Sequence, residues 1–369
     1  MRPLVVAVNG ATGRMGRARH LEGALIPLRR SGVRSGDSRR ELDLVLVGRR
    51  PDALRELAAE HGIQRWSTSL DEVLSDPDVD VYFDAQRSGE RAAAVRAAIA
   101  AGKHVYCEKP LAPTRLEAVA LARAAQNAGV RTGVVQDKLF TPGFRALGEL
   151  VRAGRLGRVV DVRGDFGYWV HTGEDRAPQR PSWNYRRADG GEFIGDLFSH
   201  WFYLLDLIRT PVSVAALGAT HVPQRHDEHG QLYDVDVEDL AHVLVRLDDR
   251  VTGVVSSSWI QRPATPFTLT VHGSRLSARA TPDGCAVADL TTGDKAPSAE
   301  PPWRPVDVPN HGDEFLSQWG DFLAHVAFGT DYRLTFSYAA RAAAFCDAIR
   351  TSLAQGTWCD IPYEERGTR

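Results

Sequence analysis

Three glycines spaced three residues apart, set between an apolar run and a helical stretch, restrict what the start of this chain can become. Leu4-Val5-Val6-Ala7-Val8 is continuously apolar, as required of a strand buried on both faces of a parallel sheet. It ends in Asn9-Gly10-Ala11-Thr12-Gly13-Arg14-Met15-Gly16, and a helical pattern follows over residues 17–30. A strand, a glycine turn and a helix in that order cradle a pyrophosphate on backbone N–H groups at the helix N-terminus. The spacing is G-x-x-G-x-x-G, a variant of G-x-G-x-x-G. Gly10, Ala11, Thr12, Gly13, Arg14, Met15 and Gly16 are the first cofactor-binding candidates.

Residues 31–38 are polar and read as a loop lengthening the first crossover. Leu42-Asp43-Leu44-Val45-Leu46-Val47 is the second strand, and it ends in Gly48-Arg49-Arg50-Pro51. A dinucleotide fold selects its cofactor here. An Asp or Glu takes the ribose 2′-hydroxyl of NAD, and an Arg accommodates the 2′-phosphate of NADP. No carboxylate ends this strand and two arginines follow it, so NADP(H) is favoured over NAD(H), with Arg49 or Arg50 pairing with the phosphate. The alternative for either arginine is a place at the start of the next helix. Helical stretches at 52–62, 71–74, 92–101 and 114–128 then alternate with strands at 79–85, 104–107 and 130–135. The alternation predicts an α/β fold, an N-terminal Rossmann doubly wound parallel sheet.

The strand at 104–107 runs into Glu108-Lys109-Pro110. Pro110 locks its own φ and pushes Lys109 out of the helical region. The X-Pro bond is cis or trans, and a cis bond sharpens the turn. Lys109 therefore has a defined direction at the carboxyl edge of the sheet, where ligands bind.

Beyond residue 138 the pattern changes. A helix at 142–153 precedes a strand at 157–166. An aromatic and basic loop follows, with Tyr168, Trp169, His171, Arg180, Trp183, Asn184, Tyr185, Arg186 and Arg187. A helix at 192–209 leads to alternating strands at 240–247, 251–258 and 267–273. A proline-rich stretch at 292–311 reads as loop, and 315–328 and 337–355 as helices. Residues 1–138 are thus expected to form the dinucleotide-binding domain. Residues 139–369 are expected to form a C-terminal α+β domain for substrate binding and oligomerisation, with an open, mainly antiparallel sheet. Its last helices have the option of packing back on the first domain. One broad face of an open sheet needs a cover, which points to a homodimer or homotetramer formed through it. Asp196 and His200, at i and i+4, share a helix face. A carboxylate beside an imidazole orients the ring for taking a proton from an alcohol, although a packing pair on a surface helix has the same spacing.

Composition narrows the classes. A length of 369 residues exceeds one ordinary core and gives two domains. A formal net charge of −2 gives no reason to expect nucleic acid or a membrane as partner. No run approaches a transmembrane helix or the core of a signal peptide. Cys107, Cys285, Cys346 and Cys359 are scattered without CxxC spacing, which argues against structural zinc and fits a reducing, cytoplasmic location.

The glycine turn, AGKHVYCEKPLA at 101–112 and GGEFIGDLFSHWFYLLD at 190–206 together resemble the glucose–fructose oxidoreductase / inositol dehydrogenase (Gfo/Idh/MocA) family. ELVRAGRLGRVVDVRGDFG at 149–167 and SYAARAAAFCDAI at 337–349 extend the likeness over nearly the whole chain. The resemblance implies an NAD(P)-dependent dehydrogenase or reductase acting on CH–OH groups. It would move hydride between nicotinamide C4 and a ring carbon of a sugar, sugar derivative or cyclitol. Lys109, Asp196 and His200 would form the catalytic trio, with His200 moving the hydroxyl proton and Lys109 holding the same oxygen. Ala85, Gln86, Glu108 and Lys109 would complete the cofactor site. Tyr168, Trp169, Arg180, Trp183, Asn184 and Tyr203 would join the trio around the substrate. Two departures stand out. Phe198 and Tyr203 occupy places where the family pattern D-x-G-x-H-x-x-D has Gly and Asp, and Ala85-Gln86-Arg87-Ser88 replaces a Thr-Pro-Pro type of loop. The same residues would suit a redox-assisted lyase or glycosidase that recycles bound NAD. A non-catalytic sugar- or dinucleotide-sensing regulator is the reading from outside enzymology.

Overall fold

The computed structural model describes residues 2–170, 180–248, 250–289, 303–308 and 312–363. Contacts divide the chain into two compact units, Met1–Phe140 with His311–Ala343, and Thr141–Asn310 with Ala344–Arg369. No helix among the described residues is long and apolar enough to cross a membrane.

The first unit is built on six strands: β1 Leu4–Asn9, β2 Leu42–Val47, β3 Arg65–Ser67, β4 Val81–Asp84, β5 His104–Cys107 and β6 Thr132–Val134. Their order is β3-β2-β1-β4-β5-β6, and every pairing is parallel. Leu4, Val6 and Val8 of β1 face Leu21, Leu25 and Leu54 of the covering helices, while Val5 and Ala7 join the opposite core with Val95, Ala98 and Leu121. Burial on both faces explains why β1 reads as unbroken apolar sequence. The helix Glu314–Phe328, whose N-terminal N–H groups of Phe315 and Leu316 are accepted by Asp313 at 2.8 and 3.0 Å, comes back from far along the chain. It adds Phe315, Trp319, Phe322 and Leu323 to the first face. One expectation is corrected: residues 31–38 are not plain loop. Val33–Ser35 and Ser38–Arg40 pair as a hairpin, because Gly36 at φ +55° supplies the positive φ that a two-residue turn needs at its first position.

The second unit holds β7 Val159–Trp169, β8 Ser213–Ala219, β9 Leu240–Arg246, β10 Thr252–Ser258, β11 Ile260–Gly273, β12 Leu276–Ala280 and β13 Cys285–Asp289, with two-residue edges β14 Arg304–Pro305 and β15 Cys359–Asp360. The order is β14-β13-β12-β11-β7-β10-β9-β8-β15. Within this second sheet, only the β7–β10 pair is parallel among the described strands. On β9, Ala241, Val243 and Val245 are buried while His242 and Leu244 are exposed, the period-2 signature of a sheet with one covered face. Most of the stretch expected as loop at 292–311 lies outside the described residues, as does His171; within it, Arg304–Pro305 pairs with β13.

Phe322 is fully buried and its ring stacks on Tyr106 at 4.6 Å. Phe322→Ala is expected to cost about 3–5 kcal/mol through lost burial and the cavity left behind. An unchanged thermal unfolding midpoint would contradict the packing of this late helix on the first sheet.

Candidate active site

Strand order reverses at β1, with β2 on one side and β4 on the other, so a crevice opens at their carboxyl ends. A groove of about 610 Å³ lies there, lined by Gly10, Thr12, Gly13, Arg49, Arg50, Ala85 and Gln86 among others. Ala11 is instead buried in the core, and Arg14, Met15 and Gly16 start the first helix rather than face the groove. Gly16 has a packing reason, since a Cβ on it would lie 2.2 Å from the Gly10 carbonyl oxygen. Gly10 has φ +80°, and a Cβ there would meet the Ala85 backbone at 3.0 Å. A turn with no room for a side chain at Gly10, closed by the Gly13 N–H to the Gly10 carbonyl at 2.9 Å and followed at once by the first helix, fits the pyrophosphate of a dinucleotide. Arg49 and Arg50 are exposed at the β2 end of this groove, where the ribose would lie.

Beneath the groove runs a buried polar network that the sequence reading missed. Asn9 Nδ2 donates to Tyr82 Oη at 2.8 Å, and Tyr82 Oη donates to Asp84 Oδ2 at 2.7 Å. Arg91, 3% exposed, donates to Asp84 Oδ1 at 3.3 Å, to the Gln86 carbonyl at 2.8 Å and to the Pro110 carbonyl at 2.5 Å. Burial pushes the Asp84 carboxyl above its ordinary range, against the opposing pull of Arg91 and its hydrogen bonds. The signal available was an arginine in an otherwise alanine-rich helix, Ser88–Ala100.

Lys109 stands half-buried just past β5, and the Lys109–Pro110 peptide is cis. Glu108, expected at the cofactor, turns its carboxylate inward. His20 Nε2 lies 2.9 Å from Oε1, and the Lys109 N–H donates to Oε2 at 3.1 Å. Burial drives the Glu108 carboxyl up, but the His20 hydrogen bond and, after it, the positive charge around the group hold it below the usual range.

In the second unit the helix expected at 192–209 is π-helical over Ile194–Phe198 and α-helical over Ser199–Asp206. Its first turn is therefore wider than the i, i+4 argument assumed. Asp196 accepts from Arg180 Nη1 at 2.8 Å, and the Arg180 guanidinium lies 4.7 Å from the Trp259 ring and 5.9 Å from Tyr168. His200 Nδ1 is hydrogen-bonded to Tyr203 Oη, and both residues are buried. Glu192 steadies the helix start, accepting from the Gly195 N–H at 3.0 Å and from Arg350 Nη2 at 2.5 Å. Trp169 carries Arg262 over its ring at 3.7 Å, and Asn184 Nδ2 donates to the Pro181 carbonyl of its own turn at 2.9 Å. Trp183 is half-buried in the same turn, Ser182–Tyr185. Trp259 was missed because a lone Trp between β10 and β11 carries no periodic signal.

Comparisons with known proteins agree on one family. Residues 5–136 match the model of an oxidoreductase family with an NAD-binding Rossmann fold, and 144–279 match the GFO/IDH/MocA C-terminal domain. A D-xylose dehydrogenase of Paenarthrobacter nicotinovorans is 38% identical over 97% of both chains. A levoglucosan dehydrogenase of Pseudarthrobacter phenanthrenivorans is 25% identical over 86% of this chain and 89% of its own. Among solved structures, a levoglucosan dehydrogenase in complex with NADH and levoglucosan superimposes with a TM-score of 0.85 at 23% identity, covering 98% of this chain and 100% of that one.

Two substitutions check the geometry. Gly16→Ala places a Cβ against the Gly10 carbonyl and is expected to weaken dinucleotide binding by at least about tenfold, since the pyrophosphate cradle must shift; unchanged affinity in a titration would contradict it. Arg91→Met leaves Asp84 buried without its cation and is expected to cost about 3–5 kcal/mol in unfolding free energy, read from a denaturant titration. A loss below experimental error would show the network to be idle.

Proposed function

The chain belongs to the GFO/IDH/MocA oxidoreductase family, and on that premise we propose that it is a sugar dehydrogenase. It takes hydride from a ring carbinol of a sugar, sugar derivative or cyclitol, or returns it to the ketone. The observation that carries this most is the near full-length likeness to a D-xylose dehydrogenase, 38% identical over 97% of both chains.

When bound, the nicotinamide cofactor supplies the hydride acceptor or donor, and the protein supplies orientation and proton transfer. Gly10, Thr12 and Gly13 hold the pyrophosphate, with Ala85 and Gln86 along the β4 side. The cofactor is NADP(H) in preference to NAD(H). Support comes from the two exposed arginines at the β2 end of the groove and from a strand that ends in Val47 without a carboxylate. His200 takes the hydroxyl proton on Nε2, because Nδ1 is engaged by Tyr203. The Lys109 ammonium donates to the same oxygen and stabilises the negative charge that develops on it. Asp196, steadied by Arg180, positions a substrate hydroxyl, and Tyr168 and Trp169 offer faces for the sugar ring. Leu217 on β8 and Leu244 on β9 are 73% and 51% exposed, which supports a homo-oligomer formed through this sheet.

Lys109→Ala and His200→Ala are each expected to lower kcat on the best sugar by about 10²–10⁴-fold, while cofactor still quenches protein fluorescence. Near wild-type turnover in either variant would remove that residue from the mechanism. Turnover must change bulk NAD(P)H absorbance in step with sugar consumed; product formed with no such change would mark a lyase that recycles its cofactor. Titration with both cofactors decides between them, and tighter binding of NADH than of NADPH would overturn the role given to Arg49 and Arg50.

A further inference from the structure

His20 is completely buried, on the π-helical segment Met15–Leu25 that follows the glycine turn. Trp319, on the helix Glu314–Phe328, donates its Nε1–H to His20 Nδ1 at 3.0 Å. An indole N–H only donates, so Nδ1 is the accepting nitrogen and the imidazole proton sits on Nε2. That proton is given to Glu108 Oε1 at 2.9 Å. Glu108 Oε2 accepts the backbone N–H of Lys109 at 3.1 Å. The order of donors runs one way, from Trp319 through His20 to Glu108, with the Lys109 amide closing on the second oxygen. Both carboxylate oxygens of Glu108 thus face donors, the arrangement that suits its ionised form. The aromatic rings of Phe83 and Phe315, at 4.4 and 5.0 Å from the imidazole, wall this chain off from water.

We propose that His20 is a positioning residue for the proposed catalytic lysine: through Glu108 it fixes the backbone from which Lys109 projects, and it ties that backbone to the helix of the cofactor turn. Burying a carboxylate and an imidazole here is costlier than burying two apolar side chains of the same size. Filling space does not explain the choice. What the polar chain does that apolar packing does not is grip the Lys109 amide. The inference rests on the catalytic role given to Lys109 above, and its test includes measurements that need no turnover.

In cofactor-free protein with ¹⁵N-labelled histidine, long-range ¹H–¹⁵N spectra are expected to show one imidazole as the Nε2–H tautomer, assigned to His20 by its loss in His20→Gln. An Nδ1–H tautomer or an imidazolium at neutral pH overturns the proposal. Gln offers one N–H and one carbonyl in place of the two ring nitrogens, whereas Leu offers neither. His20→Leu is therefore expected to speed hydrogen exchange of the Lys109 amide by about tenfold or more, and to lower kcat by a similar factor with the sugar KM little changed. His20→Gln is expected to restore both to within about threefold of wild type. Equal losses in Leu and Gln, or a Lys109 amide that exchanges at the wild-type rate in His20→Leu, overturn the proposal. If His20→Leu does not fold, Trp319→Phe carries the test. It removes only the indole donor, and it is expected to release the tautomer and speed the Lys109 amide; an unaltered tautomer and exchange rate count against the proposal. If the wild-type protein oxidises no sugar, the functional reading fails, while the tautomer and the amide exchange still decide this inference.

Discussion

A guanidinium almost without exposure holds the carboxyl edge of the first sheet together. Parallel strands all deliver their chain ends to one edge, and each exit leaves backbone groups in need of partners. Arg91 answers two of those needs with one planar fork, the Gln86 carbonyl in the loop beyond β4 and the Pro110 carbonyl beyond β5, and pairs with the Asp84 carboxylate at the end of β4. Asp84 in turn reaches β1 through Tyr82 and Asn9. The groove floor and the lysine turn are therefore parts of one buried network. A shift at Gln86 cannot leave Pro110 untouched, because the same cation serves both.

The second unit solves a similar problem with paired charges at a helix start. Glu192 binds the Gly195 N–H and Arg350, and Asp196 binds Arg180. The Arg180–Asp196 pair is about a quarter exposed on each side, so its Coulomb energy is weakened by water. Its value is geometric: a carboxylate held by a guanidinium that is itself seated over Trp259 has few directions open to it. An arginine read from sequence as a ligand for substrate is, in the fold, first of all a partner for a carboxylate.

Much of this was legible in the chain. An unbroken apolar run marked β1, because burial on both faces leaves no polar position there, whereas β3, Arg65-Trp66-Ser67, went unread. The glycine triplet marked the turn, because Gly10 and Gly16 stand where a Cβ collides with backbone. The hairpin at 33–40 was not legible, since its strands are three residues long and a polar triplet has no period to count. Nor was the network under the groove. Asp84, Arg91, His20 and Trp319 lie on separate elements, and the contact between His20 and Trp319 spans 299 residues. Periodicity reports which face of an element is buried, but not which buried polar groups meet. The π-helical turns at Met15–Leu25 and Ile194–Phe198 were hidden for a related reason: the extra residue in a wide turn is a tertiary accommodation that helix propensity does not record.

Two buried histidines differ in what their partners allow. His20 sits between an indole that only donates and a carboxylate that only accepts, so its proton has one place and no second tautomer is open to it without breaking a buried bond. His200 is bonded through Nδ1 to a tyrosine hydroxyl, and a hydroxyl both donates and accepts. When Nδ1 bears the proton, Tyr203 accepts; when Nε2 bears it, Tyr203 turns its own proton to Nδ1. An ionised aspartate at position 203 would hold Nδ1 protonated in the neutral ring and in the imidazolium alike. The tyrosine matches either neutral tautomer of His200, which suits the proton-transfer role proposed for it. One-way partners suit the holding role proposed for His20, and a two-way partner suits the proton-transfer role proposed for His200.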